Sequence, residues 1–269
     1  MATKRQQGQN GCGCVVLAVL GIALLGGLGS CFGSASEAPG TGSSAVTSAP
    51  AAAATAAAPT RPTAGAPPGA TAPPPPPAAA AGSALAVLDT LAIKGRAPKT
   101  GYARDEFGDG WQDPDGNGCD ARNDVLRRDL ADPVLASGDC KVLTGTLNDP
   151  YTDQTIAFVR GEDTSAEVQI DHVVALSDAW QKGAQQLTPT QRETFANDPL
   201  NLLAVGGAVN QTKSDGDAAT WLPPQKAYRC EYVARQVAVK QRYSLWVTTA
   251  EHDAIARILA TCPDQPLPQ

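Results

Sequence analysis

The chain contains only two histidines, and one of them, His172, directly follows an aspartate at the edge of an apolar run, Ile170-Asp171-His172-Val173-Val174-Ala175-Leu176. Asn201 opens a second apolar run, Asn201-Leu202-Leu203-Ala204-Val205. Asn210 lies nine residues after it and leads into Gln211-Thr212-Lys213-Ser214-Asp215. These residue types suit metal-assisted cleavage of a phosphodiester. An imidazole can take the proton of an attacking water. A carboxylate (Asp171) and an amide oxygen (Asn210) can hold a divalent cation on the phosphate. A hard cation such as Mg²⁺, with Mn²⁺ as the alternative, keeps several waters and asks the protein for few oxygen ligands. Lys213 follows Asn210 by one helical turn and could reach the scissile or a flanking phosphate.

Adjacent side chains on a strand point to opposite faces. A regular strand through Asp171 and His172 would therefore separate them, so the strand must end, bulge or twist at this pair. His252, in the first turn of a C-terminal helix, reads as a surface residue. Trp180 and Trp221 read as core. Arg122, on a helix ahead of the pair, could approach the site, but the sequence does not place it.

The Asp171-His172 pair, with Asn201 and then Asn210, resembles the HNH, or ββα-metal, endonuclease motif. The likeness is to secreted bacterial HNH-family proteins and to the C-terminal nuclease domain of GmrSD-type restriction enzymes. Asn210 stands where many HNH motifs carry a histidine. The resemblance implies that the Asp-His pair sits where a strand breaks into a loop and that Asn201 hydrogen-bonds the intervening loop and so orients the base. It also implies a nuclease acting on DNA, with RNA as an alternative. A second class of function stays open: a non-catalytic cell-surface binding module on the same scaffold.

Charge favours that second class. The chain has 21 Lys and Arg against 27 Asp and Glu, a net of −6. Only Lys4, Arg5 and Arg61, and one acid, Glu37, fall in the first 85 residues, so the remainder is more acidic still. That balance is unusual for a protein that grips nucleic acid along a broad surface and argues against a high-affinity DNA binder. A local cationic site is not.

Three segments follow from composition. Residues 1–33 hold Lys4 and Arg5 and then an uncharged apolar run from Cys14 to Gly29, which reads as a signal peptide or signal anchor. Leu28-Gly29-Ser30-Cys31 resembles a bacterial lipobox, in which Cys31 is lipidated; an uncleaved anchor and ordinary secretion are the alternatives. Residues 34–83 are rich in Ala, Pro, Thr and Ser and read as an extended linker. Residues 84–269 remain for one folded domain. The expected place is the outer face of a membrane, held by the lipid or anchor, or free secretion, and the chain is expected to act as a monomer.

Within the domain a short helix is expected at 84–93, a helix at 122–130 and strands at 140–147, 155–160, 168–176 and 201–205. The strands at 140–147 and 155–160 form a hairpin about Asn148-Asp149-Pro150-Tyr151-Thr152-Asp153. Helices are expected at 177–186, at 189–197 behind the capping box Thr188-Pro189-Thr190-Gln191, from Pro223 to Tyr243, and from Thr249 to Ala260. The fold class is α+β, a small antiparallel sheet surrounded by helices. Asp113-Pro114-Asp115-Gly116-Asn117-Gly118 fits the start of a calcium loop with Asp124 at its twelfth position. Asp120 stands where such loops are apolar, so the competing reading is a turn held by Asx hydrogen bonds.

Beyond Cys31 four cysteines remain: Cys119, Cys140, Cys230 and Cys262. None forms a Cys-x-x-Cys pair, and export favours disulfides. Of three pairings, Cys119–Cys140 and Cys230–Cys262 are favoured. The first would close the loop before the hairpin, and the second would staple the last helix to the long one. Each contributes ~3 kcal/mol in the chain-entropy model.

Overall fold

The computed structural model describes Ala80, residues 82–138 and residues 140–268. The leader, the lipobox with Cys31 and nearly all of the linker lie outside the described residues. Among the described residues no helix is long and apolar enough to cross a membrane.

The elements run α1 (Ala84–Leu88), α2 (Ala121–Asp129), β1 (Leu130–Leu135), β2 (Val142–Asn148), β3 (Thr155–Val159), β4 (Val168–His172), α3 (Leu176–Trp180), α4 (Pro189–Asn197), β5 (Leu202–Gly206), α5 (Gly207–Lys213), α6 (Arg229–Arg242) and α7 (Thr249–Leu259). The fold is α+β. It holds two small antiparallel sheets rather than one: β1-β2-β3, and the two-stranded ribbon β4-β5.

Local chemistry sets most boundaries. Thr188 and Gln191 form the capping box of α4, and Thr248 with Glu251 form that of α7. The β2–β3 turn closes through Asp149, which accepts from the Tyr151 amide and the Thr152 hydroxyl. Strand β1 was not expected. Asp132, at φ 51°, and Pro133 interrupt its pairing with β2 by register shifts, and that pair of residues reads as a break. The helix expected over 177–186 stops at Trp180. Gly183, at φ 125°, where a side chain would be strained, carries the chain through a tight packing against Leu245 and Trp246. The long helix begins at Arg229, and a 3-10 turn over Lys226–Tyr228 takes up the residues before it.

The Asp113–Gly118 segment forms Asx turns. Asp113 accepts from the amides of Asn117 and Gly118, and the Asn117 side-chain amide donates to Asp115 and Asp124. Both disulfides form as favoured, Cys119–Cys140 and Cys230–Cys262.

Apolar burial holds three clusters. One joins α1, α6 and α7 to β5 and Tyr151, one joins α3 and α4 to Phe107, and one fills the space between α2 and the two sheets. Helix α2 is also fastened to the ribbon by charge. Arg128 donates to the carbonyls of Pro199 and Leu202, and Asp129 accepts from the Ala204 amide at 2.9 Å. The C-terminal end of α2 is thereby fixed relative to the ribbon.

A buried ion cluster does the same for the helical side. Lys182 Nζ lies 2.7 Å from each of Asp178, Asp217 and Glu251, and Lys240 lies 2.9 Å from Glu251. Arg96 closes the set on Asp178 and Asp217. Three cations face three carboxylates, so the cluster is neutral, which is what allows it to be buried. Lys240 is therefore interior. The basic residues of the long helix do not form a surface stripe.

Candidate functional site

Strand β4 ends at His172, paired with Leu202, and Asp171 pairs with Leu203. Beyond His172 the ladder passes to Asn201. Its carbonyl accepts from the Val173 amide at 2.8 Å, and its side-chain oxygen accepts from the Val174 amide at 2.8 Å. Asn201 is fully buried, and its amide nitrogen donates to the Val174 carbonyl and faces that of Phe195. It thus fastens the end of β4 to the end of α4.

The end of α4 is what holds the imidazole. His172 Nε2 lies 2.8 Å from the carbonyl oxygen of Ala196. A carbonyl only accepts, so Nε2 carries the hydrogen, and Nδ1 is the nitrogen with the free lone pair. Among the described residues Nδ1 has no hydrogen-bond partner. The ring of Trp111 lies parallel to the imidazole, within 5° and with centres 5.9 Å apart. Burial pushes the His172 pKa down to about 3. The Ala196 carbonyl opposes that shift, and the charges of Arg104 and Lys213 add to it. The ring is neutral at ordinary pH, in the tautomer that leaves Nδ1 basic.

Strand alternation sends Asp171 the other way. Tyr151, brought under the ribbon by the β2–β3 turn, donates its hydroxyl to Oδ2 at 2.6 Å. Lys213 donates to Oδ1 at 2.9 Å. Lys213 also donates to the His172 carbonyl at 2.9 Å. Burial raises the Asp171 pKa, while Lys213 and Tyr151 pull against that rise. The structure therefore turns Lys213 inward and away from any phosphate. A buried carboxylate requires a cation, and the last turn of α5 supplies this one.

Helix α5 starts without a loop after β5, so the ribbon and helix form a ββα unit. Gly207 permits this: the Ala166 carbonyl lies where a Cβ would be. Asn210 is half-buried on α5. Its Nδ2 donates to Gln169 Oε1 at 2.9 Å, and Gln169 Nε2 faces the Ala166 carbonyl, which fixes the orientation of both amides. Asn210 Oδ1 is left without a proton donor among the described residues.

Asp171, His172 and Asn210 border one cavity of about 520 Å³. Lys99, Tyr102, Arg104, Trp111 and Arg122 line the same cavity and make that part of it basic and aromatic. Asp215 bridges the rim, accepting from Ser177 at 3.0 Å and from Lys99 at 3.3 Å. Burial alone would raise the Asp215 pKa. The Ser177 and Lys99 hydrogen bonds and the Lys99 charge outweigh it and hold the carboxyl below its usual range. Arg122 reaches the site from the first turn of α2. Arg104 and Trp111 come from a Gly- and Asp-rich loop without periodicity, so no sequence signal singled them out. His252 lies apart on α7, beside Asp89 and Asp253.

Asp171 and Asn210 both border the cavity, but their oxygens are unequally free. Each Asp171 oxygen already accepts one proton donor, whereas Asn210 Oδ1 accepts none. The cavity therefore offers a basic nitrogen, a free amide oxygen and, among the described residues, two arginines without a partner, Arg104 and Arg122.

Residues 120–258, just over half of the chain, match the family described as GmrSD restriction endonucleases, C-terminal domain. An "Uncharacterized secreted protein" of Arthroderma benhamiae (strain ATCC MYA-4681 / CBS 112371) is 39% identical over 182 residues, which are 67% of this chain and 85% of that protein. The matched span contains the ribbon, α5, Asp171, His172, Asn201 and Asn210, and the chain belongs to the family of the C-terminal domain of GmrSD restriction endonucleases.

Proposed function

We propose that the protein is a metal-dependent endonuclease of the HNH type, hydrolysing phosphodiester bonds of DNA, with RNA as a second substrate, outside the cytoplasm. Membership in a family of restriction-endonuclease domains supports a nuclease-type activity. The observation that carries the reading is His172: a buried, neutral imidazole pinned at Nε2 by Ala196, with Nδ1 bare beside a cavity walled by arginines.

In this reading Nδ1 of His172 takes a proton from water as the water oxygen bonds to phosphorus. The opposite P–O ester bond breaks, and the leaving oxygen takes a proton from solvent. Neutral His172 is ready for that step without first losing a proton. Trp111 and Ala196 limit the imidazole to one orientation, so the base is set before substrate arrives. Asn201 acts through the backbone of both neighbours of the site and touches no reacting atom.

A divalent cation, Mg²⁺ with Mn²⁺ as the alternative, would be held by Asn210 Oδ1, the amide oxygen without a proton donor. Asp171 would assist mainly through its charge, because Tyr151 and Lys213 already engage its two oxygens. When bound, the cation supplies Lewis-acid stabilisation of the phosphate and the leaving oxygen. Two disulfides, and the secreted relative, favour action outside the cytoplasm. Attachment to the membrane through a lipid on Cys31, or through an uncleaved anchor, extends the same reading.

The test is nicking of supercoiled plasmid by the purified, oxidised protein in Mg²⁺, in Mn²⁺ and in EDTA. Nicking with either metal and none in EDTA is expected. Undiminished nicking in EDTA would remove the cation from the account, and no nicking in any condition would remove the nuclease.

A further inference from the structure

The basic wall of the cavity contains two arginines that the fold itself does not use. Among the described residues five arginine side chains make no hydrogen bond or ion pair, and of these only Arg104 and Arg122 line the cavity, whereas Arg96, Arg128, Arg160, Arg192, Arg229 and Arg242 are all engaged. Lys99, the third cation of the wall, is already spent on Asp215.

Arg122 is held at a cost. It is half-buried, and it stands in the first turn of α2, where the helix dipole disfavours a cation. Burial lowers its pKa, nearby Arg160 lowers it further, and Asp120 only partly compensates. Its surroundings therefore disfavour the charge, and it donates to nothing. An anion entering the cavity would remove both penalties. Arg104 lies across the same opening, beside Trp111 and His172. Arg127, Arg235 and Arg257 are likewise without a partner among the described residues, but none of them borders this cavity.

We propose that Arg122 and Arg104 are the substrate-binding residues of the site, gripping the phosphate under attack and the one next to it. This inference rests on the nuclease reading and deepens it. Guanidinium groups match phosphate oxygens with paired donors, and at the attacked phosphate they stabilise the added charge of the transition state. The grip is local, so binding should be weak and strongly dependent on salt. The flanking Tyr102 and Trp111 rings leave room on this wall for a sugar or base.

The experiment separates binding from cleavage. The full oxidised protein carrying His172→Ala is titrated against a short fluorescent DNA strand, in EDTA and at several salt concentrations. The same background then carries Arg122→Gln, Arg104→Gln or Arg122→Lys. Each Gln variant is expected to weaken binding about tenfold and to lower the slope of log affinity against log salt by about 0.7, the value for one phosphate contact on a single strand. Arg122→Lys should keep the salt slope while losing part of the affinity, because charge remains and the fork does not. The unfolding midpoint of Arg122→Gln should be unchanged or higher, since no protein contact is lost.

Unchanged affinity and slope in both Gln variants would overturn the proposal. So would a loss of affinity that tracks a fall in the unfolding midpoint, or a parent protein that binds no DNA even at low salt. Failure of the nuclease reading is seen separately, as absence of nicking by the protein with His172 intact. Binding governed by the arginines without nicking would leave the grip standing and remove the reaction.

Discussion

The ammonium of Lys213 is shared between two neighbours in the chain, lying 2.9 Å from Asp171 Oδ1 and 2.9 Å from the carbonyl oxygen of His172. One buried cation thus ties α5, which carries Asn210, to the strand end that carries His172. The distance between the cation-binding amide and the base is set by a buried ion pair.

Removing that cation strands a buried carboxylate. Lys213→Met should destabilise the protein by about 3–5 kcal/mol, the usual penalty for breaking a buried pair. Adding Asp171→Asn should recover part of the loss, because the stranded charge goes too. Denaturant unfolding of the single and double variants measures both. A single variant as stable as the parent would mean that the pair does not hold α5 to β4.

Asn201 should matter for stability and for rate. In Asn201→Ala the buried Val174 amide loses its acceptor, a cost of about 1–3 kcal/mol. The ends of β4 and α4 also lose their shared fastening, so His172 is less well oriented. Turnover should fall more than apparent substrate affinity, and its pH profile should keep its shape. A variant with parental turnover and reduced stability would confine Asn201 to a purely structural part.

Acid should act on the buried ion cluster in a defined direction. Burial by itself would raise the Asp217 pKa. The hydrogen bond and charge of Lys182 and the charge of Arg96 outweigh it and hold the carboxyl below its ordinary value. Asp178 pairs with Lys182 and Arg96, and Glu251 with Lys182 and Lys240. A carboxyl depressed in the folded state binds its proton more readily when unfolded. Its stabilisation is therefore complete above the ordinary carboxylate pKa, about 3.9, and is lost as pH falls through the folded value. The unfolding midpoint should drop steeply below about pH 4. Asp217→Asn should be less stable at neutral pH and flatter in acid. An acid limb of equal steepness in the variant would place that sensitivity elsewhere.

The capping boxes at Thr188 and Thr248, the Asn148–Asp153 turn and both cysteine pairings could be read directly, because each is a local rule over a few residues or a loop of plausible length. The strand expected over 168–176 instead ends at His172, and its ladder stays regular through Asp171 and His172, so the pair keeps opposite faces without a bulge. What was hidden is tertiary. Lys213, Lys182 and Lys240 are charged and would ordinarily be solvated; only the fold reveals carboxylates waiting in the interior. Strand β1 was masked by Asp132-Pro133. Trp111 and Arg104 come from a loop with no period, and their arrival at His172 depends on α4 and on the packing of Phe107 beneath them. The sequence suggests Lys213 for the phosphate; the cavity instead offers Arg122, whose position the sequence leaves open.

The central claim is that His172 is the base, and the most direct measurement is nicking of supercoiled plasmid in Mg²⁺ by the oxidised protein and its His172→Ala variant, with unfolding curves for both. The account expects a loss of about 10²–10⁴-fold, the usual contribution of a positioned general base, in a variant that still unfolds cooperatively. Equal nicking rates from two folded proteins would contradict it.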